Sequence, residues 1–168
     1  ELPSDLCSNA FALVELFDEP DVEAAYHRLF GGGGRVSPYE SDYYGAGEEG
    51  MRERGVILGD VAGFYKAFGF DPSKETPEAP DHVVLELAFL SYMKLREAFA
   101  LRRSEKEPYE ICLAAEEKFL NEHLLLWLRE FANRILRERS HVFYERAASL
   151  TITVLTQHSR HISPSQTA

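Results

Sequence analysis

The segment from Pro80 to Arg102 sets the terms for the whole chain, because its apolar residues leave almost no helical face for water. At a helical repeat, Val84, Leu87, Leu90, Ser91, Leu95, Ala98 and Phe99 form one broad stripe. Val83, Leu85, Phe89 and Met93 widen it to most of the circumference. A helix apolar nearly all round is a central one, and it needs neighbours with an apolar face to set against it.

The remaining chain supplies such neighbours. Leu6, Ala10, Leu13, Val14 and Phe17 fall on one helical face, and the pattern restarts at Glu19-Pro20-Asp21 and runs to Phe30, where Gly31 to Gly34 stop it. Residues 31–49 combine Gly, Pro and Ser with Tyr39, Tyr43 and Tyr44 without periodicity, which predicts a long tyrosine-rich loop with a short turn of helix after Pro38. Such a loop is too aromatic for plain disorder and reads as packed and ligand-facing. From Met51 to Phe68 the period resumes, with Gly69 as a stop; Gly59 and Gly63 in its interior would let another backbone approach closely. Pro108 opens a further helix, Leu120-Asn121 reads as a boundary with Asn121 as cap, and Phe143, Ala147, Leu150 and Val154 mark a last helix.

No alternating strand pattern and no internal repeat interrupts this series. The fold class is therefore all-α, a single globular bundle of about six or seven helices with a long tyrosine-rich loop. Residues 1–157 make one domain, and 158–168 a polar C-terminal tail.

Composition narrows the function. A formal net charge of -10 argues against a nucleic-acid footprint and suits a basic partner, although simple solubility is the more common reason for such a balance. Cys7 and Cys112 are far apart and each sits among apolar residues at helical spacing, which reads as buried, inert thiols in a reducing compartment. No run reaches the length of a membrane span, so a cytoplasmic location is expected. Catalytic templates fail: there is no Gly-x-Ser-x-Gly, no Gly-x-x-x-x-Gly-Lys and no His-Glu-x-x-His, and no cofactor is expected.

The stretch Glu78-Ala-Pro-Asp-His82 places an acid and an imidazole at the mouth of the most apolar helix, where they do nothing for a core. Two readings of Asp81 and His82 stand side by side. They are a binding pair, or they are a helix-terminal acid and a hydrogen-bonded structural histidine. His82 and Glu86, four apart, have metal-compatible spacing, which sustains a rival reading as a small metal- or nucleotide-dependent enzyme using both and His123. His123 and Trp127 read as packing, with one imidazole nitrogen satisfied.

Four segments occur together in order: Tyr26-His-Arg-Leu-Phe-Gly31, Ser37-Pro-Tyr-Glu-Ser-Asp-Tyr43, Glu78-Ala-Pro-Asp-His82 with Glu86-Leu87, and Phe119-Leu-Asn-Glu-His-Leu124 with Trp127. In that order and spacing the chain resembles the TorD/DmsD/NarJ family, all-helical cytosolic chaperones dedicated to molybdenum-cofactor reductases. The resemblance implies that Asp81 and His82 belong to a client-binding cleft, with Tyr26, Tyr39 and Tyr43 as its aromatic lining. Tyr39 stands where the family has a Trp. The implied partner is the catalytic subunit, or the twin-arginine signal peptide, of a molybdopterin-dependent oxidoreductase, bound by a monomer or domain-swapped dimer. A twin-arginine signal offers two guanidinium groups and an apolar stretch. Asp81, helped by Glu78 and Asp42, would pair the arginines, and the tyrosines would take the apolar residues.

Overall fold

The computed structural model describes residues 4–44, 54–72 and 78–162. Among them are seven α-helices and no β-strand: α1 (Ser4–Glu15), α2 (Val22–Phe30), α3 (Arg54–Phe68), α4 (Val83–Arg102), α5 (Lys106–Phe119), α6 (Leu125–Glu138) and α7 (Val142–Ile162). The all-α class read from periodicity is the class adopted. Of the expected loop, residues 31–44 hold one 3-10 turn, Glu40–Asp42, while 45–49 lie outside the described residues, as do 51–53 at the expected start of α3. Helix α7 continues to Ile162, past the expected start of the polar tail; residues 163–168 lie outside the description.

The chain divides into two compact units. One comprises the described residues up to Pro38 and from Leu128 onward; the other is Tyr39–Trp127. In the first, Leu6, Val22, Ala25 and Leu29 are buried with Leu128, Phe131, Ala132 and Ile135 of α6 and Ala148 and Leu155 of α7. Phe30 ties these helices together, its ring 6.0 Å from Phe131 and 5.7 Å from Tyr144. Gly31 ends α2, and no larger residue fits there, since a Cβ would lie 2.5 Å from the His27 carbonyl oxygen.

In the second unit Phe89, at the middle of α4, is the hub. Tyr65, Phe70 and Phe119 lie 5.1, 5.7 and 4.8 Å from its ring centroid, mostly edge-on or tilted, as aromatic quadrupoles prefer. Helix α3 reaches this cluster through a glycine-terminated end. Gly69 takes φ +69°, the Phe70 N–H donates to the Tyr65 carbonyl and the Gly69 N–H to that of Lys66, and the Tyr65 and Phe70 rings close the motif at 5.0 Å. The Phe68 carbonyl is capped from α4 by the Tyr92 hydroxyl at 3.0 Å and Arg96 Nη1 at 2.7 Å.

Besides Cys7, which is exposed whereas Cys112 is buried as expected, three sequence expectations need correcting. The face of α4 turned inward is Val83, Leu85, Glu86, Phe89, Leu90, Met93, Glu97 and Ala100, whereas Val84, Leu95 and Phe99 of the expected stripe are 56%, 59% and 63% exposed. Hydropathy misplaces the face because two of the inward residues are glutamates, which periodicity counts as surface. Second, no break occurs at Leu120-Asn121. The chain passes from α5 to α6 through a π-helical turn, Leu120–Leu124, which buries Leu120, His123 and Leu124 and leaves Asn121 exposed. Third, Gly59 and Gly63 admit no neighbouring backbone: a Cβ on either would meet nothing within 4 Å among the described residues.

The glycines therefore weaken α3 with no packing return. Gly63→Ala is expected to stabilise the protein by about 0.5–1 kcal/mol in urea unfolding.

The second acid on the inner face of α4 creates a pH dependence. Lys94 Nζ lies 3.0 Å from Glu97 Oε2 and 2.6 Å from Glu116 Oε2, one ammonium serving two buried carboxyls across α4 and α5. Burial, then the hydrogen bond with Glu116, pushes Glu97 from the ordinary 4.5 up to about 7, against the pull of Lys94. Between those values the folded chain keeps a proton that the unfolded chain has lost. The stabilising difference is complete below pH 4.5 and is lost as pH rises through about 7. Urea midpoints should fall from pH 5 to pH 8, and Glu97→Gln should make that slope shallower.

Candidate functional site

The site is built on the 3-10 turn Glu40–Asp42 and the turn that opens α4, both in the Tyr39–Trp127 unit. Two backbone contacts join these turns: an isolated antiparallel bridge between Tyr39 and His82, and the Glu40 N–H donating to the Asp81 carbonyl at 2.9 Å. Asp81 is completely buried, and its Oδ2 accepts the Ser41 N–H at 3.1 Å. His82 is the N-cap of α4, its Nδ1 accepting the Val84 N–H at 3.2 Å. Burial lowers the His82 pKa against the opposing pull of Glu78 and Asp81, so the ring is neutral at pH 7 and that acceptor is available. The turn is further fastened from α3 by the Tyr65 hydroxyl, which donates to the Pro80 carbonyl at 2.8 Å.

Beneath the turns lies a polar cluster that sequence reasoning did not assign to the site. Glu40 is completely buried, its Oε2 2.9 Å from His123 Nδ1. Glu86, also completely buried, accepts the Trp127 indole N–H at 3.2 Å and hydrogen-bonds the Glu40 side chain. Burial first, then the charge of Glu40, raises the Glu86 pKa well above the carboxylate range. The other imidazole nitrogen of His123 has no hydrogen bond among the described residues, with Asp60 Oδ2 at 3.7 Å. One satisfied nitrogen on His123 is what the sequence indicated; the burial of Glu40 left no signal in the sequence beyond its place in the Pro38-Tyr39-Glu40 run.

Six of the seven candidate residues lie in this unit. Tyr39 stands edge-on to His82, ring centroids 5.1 Å apart, and its hydroxyl donates to Glu78 Oε2 at 2.7 Å. That hydrogen bond, with burial and the Glu78 charge, pushes the Tyr39 phenol up to about 12, and it remains a donor at any physiological pH. Tyr43 tilts against the buried Trp127 at 5.1 Å. Asp42 and Glu78 are exposed, and Asp42 Oδ1 lies 3.3 Å from Arg54 Nη1. Tyr26 belongs to the other unit, where it is 45% exposed and packs on Phe30 at 5.5 Å.

The arrangement presents aromatic and acidic groups on a buried hydrogen-bonded base, a surface for binding cations and apolar side chains. The spacing of His82 and Glu86 does not mature into a metal centre: the two side chains turn to Val84 and Trp127 respectively. No group of three His, Cys, Asp or Glu among the described residues is placed to hold an ion. No described helix is long and apolar enough to cross a membrane.

Residues 3–133 match the family described as nitrate reductase delta subunit. The chain is 32% identical over 155 residues to the chlorate reductase assembly chaperone protein of Ideonella dechloratans, covering 79% of this chain and 78% of the relative. It is likewise 32% identical over 155 residues to the selenate reductase assembly chaperone protein of Thauera selenatis, with the same coverage. The chaperone protein TorD of Vibrio cholerae is 28% identical over 161 residues, covering 94% of this chain and 60% of that protein. No solved structure matches. The chain belongs to the nitrate reductase delta subunit family, the TorD/NarJ group of assembly chaperones rather than catalysts.

Proposed function

We propose that this protein is a cytoplasmic assembly chaperone for the catalytic subunit of a molybdopterin-dependent oxidoreductase. It holds the subunit during cofactor insertion and binds its twin-arginine signal peptide before export. Family membership and relatives named as reductase assembly chaperones support the chaperone role. The observation that carries the peptide-binding reading is the juxtaposition of the exposed acids Asp42 and Glu78 with the ring of Tyr39, which is backed by the buried His82, in the Tyr39–Trp127 unit.

The residues divide the work by depth. Glu78 and Asp42, exposed, are the acids that meet guanidinium groups, and the ring of Tyr39 takes the alkyl or apolar portion of the peptide. Asp81, at 0% exposure, acts by holding the Ser41 N–H and so keeping the turn and its side chains in place. Because the free peptide is disordered, ordering it offsets much of the contact energy, and a dissociation constant of about micromolar is expected.

Titration of the client's signal peptide tests this division. Glu78→Gln should weaken binding about ten-fold, or ~1.4 kcal/mol, with unfolding unchanged. Asp81→Ala should weaken binding and also lower stability by about 1–3 kcal/mol, because a buried N–H loses its acceptor. Lost affinity at unchanged stability would instead make Asp81 a direct contact. Retention of the catalytic subunit after its signal is removed, with no peptide binding, would favour a chaperone that contacts only the folded enzyme.

A further inference from the structure

The acidic and aromatic patch of the Tyr39–Trp127 unit already has a guanidinium on it, and the guanidinium is the chain's own. Arg54, the first residue of α3, places Nη1 3.3 Å from Asp42 Oδ1 and its Cζ 6.0 Å from the centre of the Tyr39 ring. That pairing of a carboxylate with an aromatic ring is the chemistry that recognises an arginine side chain from any source. The Tyr39 hydroxyl is tied to Glu78, and its ring stands against His82, so the ring that faces Arg54 is held in position by the site and not by Arg54.

We propose that Arg54 is an internal stand-in that occupies this guanidinium subsite in the free protein and is displaced by an arginine of the incoming peptide. The inference rests on the reading of the patch as a basic-peptide site. Arg54 is suited to being displaced. Its side chain is 56% exposed and that of Asp42 40%, so the pair is a solvent-screened one of small worth. An intermolecular arginine that also brings apolar contacts overcomes such an occupant, whereas an isolated cation competes with it on nearly equal terms.

Three proteins decide the matter: wild type, Arg54→Gln, and Arg103→Gln, the last removing the same charge from another exposed arginine of the same unit. A peptide with paired arginines followed by an apolar stretch should bind Arg54→Gln about two- to five-fold more tightly than wild type, the span of a surface ion pair, and Arg103→Gln like wild type. In parallel, N-acetyl-arginine amide is titrated into Arg54→Gln while the Tyr39 ring resonances are followed by NMR, with N-acetyl-lysine amide as control. Shifts with the arginine probe that exceed those with lysine, and that are smaller in wild type, are expected. Equal shifts with both probes, or equal shifts in wild type and Arg54→Gln, would overturn the proposal whatever the peptide does. Peptide affinity that is unchanged or weaker in Arg54→Gln would overturn it as well. If neither protein binds the peptide while the arginine probe behaves as expected, the signal-peptide reading fails and the subsite stands.

Discussion

The contact on which the site depends is the one between Glu40 and His123. A carboxyl group with no exposed surface is tolerated only where polar partners replace its water, and here an imidazole at 2.9 Å and the neighbouring Glu86 side chain do so. Glu40 sits inside the 3-10 turn whose neighbours Tyr39 and Asp42 face outward, so burying its carboxyl fixes the direction in which the turn presents them. The donor arrives by an unusual route. His123 lies in the π-helical turn between α5 and α6, and the wider turn is the segment that carries the imidazole into the core beside Phe64 and Phe119.

The same physics explains which parts of the molecule were legible in advance. The helical class was, because aliphatic and aromatic residues recur at helical spacing through most of the chain, and Gly69 ended α3 where a left-handed residue was needed. The inner face of α4 was not, because Glu86 and Glu97 point inward while Val84, Leu95 and Phe99 point out. A glutamate is counted as polar by any pattern rule; only its partners, Trp127 and Glu40 for one and Lys94 and Glu116 for the other, make it a core residue, and of these all but Lys94 are remote in sequence. The π-helical turn was hidden for a related reason: Asn121 looked like a cap, and the cause of the continuous path is the tertiary burial of Leu120, His123 and Leu124.

For Asp81 and His82 the local reading is the one the hydrogen bonds display. Both residues do local work, His82 capping α4 and Asp81 clasping the Ser41 N–H. That local work is what joins the Glu78–His82 stretch to the Tyr39–Tyr43 stretch, two segments the family resemblance had picked out separately. The two short motifs form a pair of turns that fit each other, and on the proposed reading they would contribute to binding through the side chains they orient.

This division also changes how the acidity of the chain bears on its partner. The formal charge of -10 counts every carboxyl as ionised and accessible. Burial raises Glu86 well above the carboxylate range and Glu97 to about 7, Glu40 is matched to His123, and Glu116 lies against Lys94. These acids are interior structure and attract nothing from solution. What a basic partner meets is the local field of exposed groups such as Asp42 and Glu78, set beside an aromatic ring whose hydroxyl is committed to Glu78. On the proposed reading such a surface would favour guanidinium over other cations, because a planar cation can satisfy a carboxylate and lie against a ring at once, and an ammonium cannot do both equally well. On that reading the buried acids would bear on recognition only indirectly, by fixing the turns that carry the ring and the exposed carboxylates.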